Sequence, residues 1–231
     1  MKKTIAALVA GLLLSSAAQA AMVTYEFTGY VAQITQYGYV PFGISYPSSL
    51  MADGATYSVG DTFHGSFSYD TATPLTENTD PWSEPGEFRG EAIHHEATLA
   101  FDNHNPTYNS APNGAGATML VADNHKYLSD YFDLRNSNGN FTLGFDFANQ
   151  TDFSAINGPF APPSLSLDRF PFANLTLGYY KSGDAYAMEA VGLFTSLKEV
   201  SAVPEPSSYS MLLAGAALVG WALRRRGSAQ A

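Results

Sequence analysis

The chain contains no cysteine, and this absence excludes several kinds of protein. Without thiols it has no disulfide framework, no thiolate nucleophile and no cysteine-bound metal centre. It also lacks the G-x-S-x-G nucleophile elbow, the P-loop and the glycine-rich dinucleotide-binding fingerprint. The sequence therefore indicates a domain held together by its hydrophobic core, and we expect no enzymatic activity from it.

Basic residues are scarce: 11 Lys and Arg stand against 21 Asp and Glu in 231 residues. Five of the basic residues lie near the two termini, so residues 21–202 contain six basic and 20 acidic residues and carry a formal charge of −14. A body with this charge is repelled by nucleic acid and by anionic lipid headgroups. We therefore expect no nucleic-acid partner.

Helical periodicity is also missing from residues 21–202, where apolar and polar residues alternate instead. The segment 141–147 is the clearest case, with an apolar residue at every second position. Asn138-Gly139 and Ser182-Gly183-Asp184 are the best candidates for hairpin turns. Further strands are predicted within 23–31, 63–69, 93–101, 118–122, 126–134, 175–180 and 186–197. Eight to ten strands predict an all-β domain, either an antiparallel β-sandwich or a jelly roll.

The N-terminus has the pattern of a secretory signal peptide. Lys2 and Lys3 precede an apolar stretch at 5–14, and the small residues Ala18 and Ala20 form an A-x-A cleavage site. We therefore predict that residues 1–20 are a signal peptide that is removed on export. The apolar stretch is too short and too weakly flanked to favour an N-terminal membrane anchor.

The C-terminus combines three features in a fixed order. A short motif comes first, an uncharged run at 211–223 follows, and a basic cluster comes last. The motif is Val203, Pro204, Glu205 and Pro206, and the cluster is Arg224, Arg225 and Arg226. As a helix, residues 207–223 would be roughly 26 Å long, close to the ~30 Å hydrocarbon core. We predict a short transmembrane helix whose arginines stay in the cytoplasm, with the body outside.

This order resembles the PEP-CTERM sorting signal of Gram-negative bacteria that make extracellular polysaccharide. The resemblance covers only the chain from residue 203 onward, and the five residues 227–231 extend beyond the arginines. It implies an exosortase-type membrane protease as partner, a transient stay in the inner membrane and later release to the cell surface or medium. The predicted domains are 1–20 signal peptide, 21–202 exported β-rich domain, 203–226 sorting signal and 227–231 cytoplasmic tail.

Two long polar stretches, 71–87 and 148–165, fit no strand and each contains three prolines. Loops of this length are often functional or mobile. The first is rich in the hard oxygen ligands that calcium prefers, at Asp70, Glu77, Asn78, Asp80, Glu84 and Glu87. Their spacing matches no known calcium loop, so solvated loop charge is the favoured interpretation and calcium the alternative. A zinc site from His94, Glu96, Asp102 and His104 is less favoured still, because a strand places His94 and His95 on opposite faces.

Exposed aromatic residues supply the other candidate chemistry. Trp82 lies in the acidic loop, and Tyr39 lies in a proline-flanked stretch with Tyr37, Phe42 and Tyr46. Such rings either stack on sugars or anchor the loops to the core. Carboxylates predicted in strands could serve a glycan hydrolase, and these are Glu26, Glu91, Glu96 and Asp146.

The sequence therefore predicts an exported surface or matrix protein with a structural or adhesive role in a polysaccharide-rich layer. A carbohydrate-binding module is the first alternative, and a glycan-active hydrolase is the second. No cofactor is expected apart from the calcium alternative, and no metal ligand set is assigned.

Overall fold

The computed structural model describes residues 22–38, 43–81, 83–92, 95–109, 117–125, 129–152, 154–180 and 186–200. The chain divides into two units, residues 1–200 and residues 201–231, and all of the described residues belong to the first. The predicted signal peptide and the predicted transmembrane helix lie outside the described residues. Within the part that is described, no helix is long and apolar enough to cross a membrane.

Fourteen strands lie in the described residues. They are β1 Met22–Gly38, β2 Gly43–Ser45, β3 Ser49–Ala52, β4 Ala55–Ser58, β5 Thr62–Asp70, β6 Thr76–Glu77, β7 Glu87–Glu91, β8 Glu96–Phe101, β9 His104–Asn109, β10 Thr118–His125, β11 Ser129–Asn138, β12 Phe141–Asn149, β13 Phe172–Tyr180 and β14 Tyr186–Val200. The predicted all-β class is confirmed.

Twelve of these strands form one antiparallel sheet. Its order is β6-β7-β10-β11-β12-β13-β14-β1-β5-β8-β9, and β2 adds to β1. Strands β10 to β14 follow one another as a meander, and β1 closes against the end of this meander by pairing with β14. Strands β3 and β4 form a separate hairpin. The first predicted turn is confirmed, because Gly139 has φ 62° in the turn between β11 and β12.

The sheet curls strongly on itself. Strands β7 and β8 are eight positions apart in the sheet, which would separate them by roughly 38 Å if the sheet were flat. Residues 92–95 alone connect them, and at 3.8 Å per Cα step they span at most about 19 Å. The ring centroids of Phe67 on β5 and Phe145 on β12 lie 4.4 Å apart, although three strands separate β5 from β12 in the sheet. The two layers expected of a sandwich therefore come from one curled sheet.

The core fills the concave side, and its largest side chains are aromatic. Tyr25, Phe27, Phe63, Phe67 and Phe145 are each at most 2% exposed. The ring of Phe67 stacks on Tyr25 at 5.2 Å and lies 6.1 Å from Phe27, so the rings form one continuous cluster. The alternation read from the sequence supplies this cluster, because every second residue of a strand points to the same side.

The predicted loop at 148–165 is built into the core. Ile156 and Leu165 are buried, and their backbone amides donate hydrogen bonds to Asp130 Oδ2 at 2.7 Å and to the Tyr25 hydroxyl at 2.7 Å. The Tyr69 hydroxyl donates to the Pro162 carbonyl at 2.7 Å. These buried bonds hold the segment against the core, so it is part of the packing.

Candidate functional site

The sorting residues of the sequence analysis lie outside the described residues. They are Val203, Pro204, Glu205, Pro206, Arg224, Arg225 and Arg226, together with Ala18 and Ala20 of the signal peptide. Trp82 and Tyr39, the predicted sugar-stacking residues, also lie outside them. The candidate sites that have geometry therefore lie on the body, chiefly on the convex side of the sheet, which we call the outer face.

An acidic pair lies on the outer face of β11 and β12. Asp133 and Asp146 stand directly opposite each other in the register of the two strands. The Tyr131 hydroxyl oxygen lies 2.9 Å from Asp133 Oδ2 and 2.6 Å from Asp146 Oδ1, so its one proton is shared between the two carboxylates. Arg135 Nε donates to Asp133 Oδ2 at 2.7 Å, and Thr176 Oγ1 donates to Asp146 Oδ2 at 3.1 Å. Cross-strand pairing thus places two carboxylates within hydrogen-bonding distance of one tyrosine and beside one arginine.

The electrostatics of this pair favour one bound proton. Burial and the neighbouring charge of Asp146 raise the pKa of Asp133 to about 6, against the opposing effect of Arg135. Burial and the two carboxylates also raise the pKa of the Tyr131 hydroxyl, which keeps it a hydrogen-bond donor. The negative partners raise the pKa of Arg135 despite its desolvation. The cluster can therefore hold a proton at mildly acidic pH.

The pair differs from the carboxylates that the sequence analysis selected. The structure places the four selected carboxylates on four different strands and brings none next to another. They are Glu26 on β1, Glu91 on β7, Glu96 on β8 and Asp146 on β12. The structure places Asp146 beside Asp133 instead. Their hydrogen-bonded oxygens can be at most about 5.5 Å apart, a separation found in retaining glycosidases. However, these oxygens already have partners within the protein, because Tyr131 bonds to both carboxylates and Arg135 pairs with both.

A groove of about 440 Å³ lies elsewhere on the outer face, over β14, β1, β5 and β8. Glu26 stands opposite Lys198 on one side and opposite Ser66 on the other. Hydroxyl-bearing residues contribute to its lining, and the Ser66 and Thr98 oxygens lie 3.0 Å apart. His64 borders it and its Nδ1 contacts Asp102 Oδ1 at 2.8 Å. A groove of this kind offers several donors and acceptors to a ligand rich in hydroxyls.

A row of exposed apolar side chains crosses the outer face at another point. Register places Ile44 opposite Tyr37, Tyr37 opposite Ala187, and Ala187 opposite Tyr180. Tyr37 is 39% exposed, Tyr180 60% and Ile44 60%, while the nearby Tyr46 is 67% exposed. Partial burial and the charges of Glu189 and Tyr46 raise the pKa of the Tyr37 hydroxyl. We call Ile44, Tyr37, Ala187 and Tyr180 the tyrosine row.

The acidic loop is ordered by its own hydrogen bonds. Asn78 Nδ2 donates to Glu87 Oε2 at 3.1 Å, and the Asp80 amide donates to Asn78 Oδ1 at 3.3 Å. The loop also contributes a strand, β6, which pairs with β7. Within the described residues no group of three or more His, Asp and Glu is placed to hold a metal ion. The calcium alternative stays a prediction.

The zinc alternative stays a prediction, because the structure does not describe all of its ligands. His94 lies outside the described residues, and His95 is fully buried, where its Nδ1 is 2.7 Å from the Ser68 carbonyl oxygen. Burial lowers the pKa of His95, and the Ser68 bond opposes this in part. Asp102 contacts His64, a residue that the zinc alternative did not include.

The comparisons with known proteins concern the C-terminus. A family model of the PEP-CTERM protein-sorting motif matches residues 202–226. This confirms that the chain carries a PEP-CTERM sorting signal, at the position read from Val203 to Arg226. No curated protein and no solved structure matches the chain. The motif supports export and sorting at the membrane by exosortase.

Proposed function

We propose that this protein is exported, cut by an exosortase-type protease near Pro204-Glu205-Pro206 and delivered to the cell surface, where it has a structural or adhesive role in a polysaccharide-rich layer. The observation that carries this proposal is the sorting motif at 202–226. In the proposed topology the body is periplasmic until processing, the run 211–223 is a temporary membrane anchor, and the arginines are cytoplasmic.

The body has properties that suit this destination. Its charge of −14 favours solubility outside the cell. It contains no thiols that would oxidise there, and the described residues are held by one hydrophobic core with the 148–165 segment packed against it. A domain of this kind needs no disulfide to remain folded after release.

The adhesive role is tested by following the protein in a producing strain. Cultures are separated into medium, extracellular matrix and membrane, and the protein is measured in each fraction. We expect most of the processed protein in the matrix fraction, and a deletion strain should make a matrix that releases more polysaccharide on washing. Processed protein that is found only in the medium, with an unchanged matrix, would contradict the adhesive role.

A carbohydrate-binding module is the second candidate, and the outer face supports it. The tyrosine row offers exposed ring faces, and the groove beside Glu26 and Lys198 offers hydroxyls. Glycan-array binding by the purified protein would support this candidate, and Trp82→Ala tests the ring that the sequence analysis selected. A glycan hydrolase is less favoured, since the carboxylates of the acidic pair are already bonded to Tyr131 and Arg135.

A further inference from the structure

We propose that the tyrosine row is a binding platform for a neutral polysaccharide chain, which lies across the strands and stacks sugar rings on Tyr37 and Tyr180. This proposal rests on the adhesive role proposed above and names the surface and the ligand class that provide it. Its basis is the register of four neighbouring strands, together with the exposure and chemistry of two adjacent rows of side chains.

The first row supplies stacking surfaces. Tyr37 on β1 and Tyr180 on β13 both stand opposite Ala187 on the strand between them, so they face the same side of the sheet. Two strand spacings separate them, which is roughly 10 Å. The small Ala187 leaves the space between the two rings open, and Ile44 extends the apolar row on the far side of Tyr37. The rings therefore mark two contact points along a line perpendicular to the strands.

The second row supplies hydrogen-bonding groups. It lies two residues along each strand and contains Glu189, Gly178, Thr142 and Ser137 in register. Thr35 continues this row on β1, but it is buried and its hydroxyl accepts from Gln33, so it is not one of the groups offered to a ligand. The Glu189 carboxylate is close enough to Tyr37 to affect its hydroxyl. The Thr142 and Ser137 hydroxyls lie 3.0 Å apart. At Gly178 a Cβ atom would lie 3.7 Å from its nearest neighbour, so the glycine leaves room for a methyl-sized group at this point of the row.

A sugar polymer matches this pair of rows. A pyranose ring presents an apolar C–H face and a rim of hydroxyls, which suit an exposed aromatic row beside a polar one. The negative charge of the body favours neutral polymers over anionic ones. The body carries −14 and the charged group described within the two rows is Glu189, so anionic polysaccharides and nucleic acids are repelled while a neutral chain is not.

The experiment is affinity electrophoresis of the full-length protein, purified in a neutral detergent. Native gels contain one soluble polymer each: hydroxyethylcellulose, dextran or galactomannan as neutral polymers, and alginate as an anionic one. The variants are Tyr37→Ala, Tyr180→Ala and the conservative Tyr37→Phe. Tyr30→Ala is the matched control, because Tyr30 is a 40% exposed tyrosine on the same sheet but outside the row. Circular dichroism checks that each variant is folded.

We expect at least one neutral polymer to retard the wild-type protein and alginate not to retard it. Tyr37→Ala and Tyr180→Ala should each weaken this binding at least fivefold, while Tyr37→Phe and Tyr30→Ala should bind as the wild type does. No retardation by any neutral polymer, retardation by alginate alone, or equal retardation of all variants would overturn the proposal. If the processed protein is retained in the matrix but the tyrosine variants are retained equally, the adhesive role stands and the platform does not.

Discussion

Substituting Asp133 by asparagine tests the acidic pair on the outer face. In the wild-type protein the pKa of Asp133 is about 6 against an ordinary value of 3.8, because the carboxylate is buried and faces Asp146. The asparagine side chain would keep an oxygen that can accept from Arg135 and Tyr131, but the substitution removes the titrating group. The variant therefore separates the electrostatic effect from most of the packing.

The direction of the pH dependence of stability follows from the raised pKa of Asp133. Between pH 4 and pH 6 the folded protein binds a proton at Asp133 that the unfolded chain has released, so stability falls as the pH rises through this window. A shift of about two pKa units corresponds to about 3 kcal/mol, which is the expected size of the fall for a side chain that is 8% exposed. In Asp133→Asn this component is absent, so the variant should gain stability relative to the wild type as the pH increases from 4 to 7.

The measurement is urea unfolding by circular dichroism at constant ionic strength from pH 4 to pH 8. The quantity of interest is the difference in unfolding free energy between variant and wild type, because a fixed packing cost shifts it equally at every pH. Asp152→Asn is the control. Hydrogen bonds from Ser154 lower the pKa of the exposed Asp152. The change in stability that this residue causes therefore occurs below pH 4, and it has the opposite sign. A difference curve for Asp133→Asn that is flat from pH 4 to pH 7 would refute the reasoning.

Four further substitutions test the packing, each by urea unfolding. Gly65→Ala should lower the free energy of unfolding by about 3 kcal/mol, because its Cβ would overlap a backbone carbonyl of the adjacent strand. Gly178→Ala should change it by less than about 1 kcal/mol, because its Cβ has room. Equal effects of the two substitutions would contradict the packing. Asp130→Ala should lose about 2 to 3 kcal/mol, since it leaves the buried Ile156 amide without its acceptor, and a neutral result would show that this bond does not hold the long segment. Tyr69→Phe should lose about 1 kcal/mol by removing one buried hydrogen bond, and no loss would contradict its role in anchoring that segment.

The strands were predictable because their pattern is local. The alternation at 141–147 placed the core side of β12 correctly, with Phe145 and Phe147 fully buried. The Asn138-Gly139 turn also fixed a register, because counting outward from Asn138 and Phe141 pairs Asp133 with Asp146. The acidic pair could therefore have been found from the sequence by extending the hairpin from its turn.

Other features depend on contacts that no local pattern contains. The closure of the sheet rests on β1 pairing with β14, strands more than 100 residues apart in the chain. The tyrosine row needs the register of four strands at once, which no local pattern contains. Tyr37, which the sequence places in a proline-flanked stretch with Tyr39, lies in β1. The segment 148–165 reads as a polar loop, since the Tyr25 and Asp130 side chains that hold it are remote in sequence.

The central claim is that the C-terminal signal is cut and the body is released. The most direct test is mass spectrometry of the C-terminal peptide of the extracellular protein, together with a variant in which Pro204, Glu205 and Pro206 are replaced by alanine. The account predicts that the released protein ends before residue 211 and that the alanine variant stays full-length in the membrane. Released protein that retains residues 211–231, or unchanged release of the variant, would contradict it.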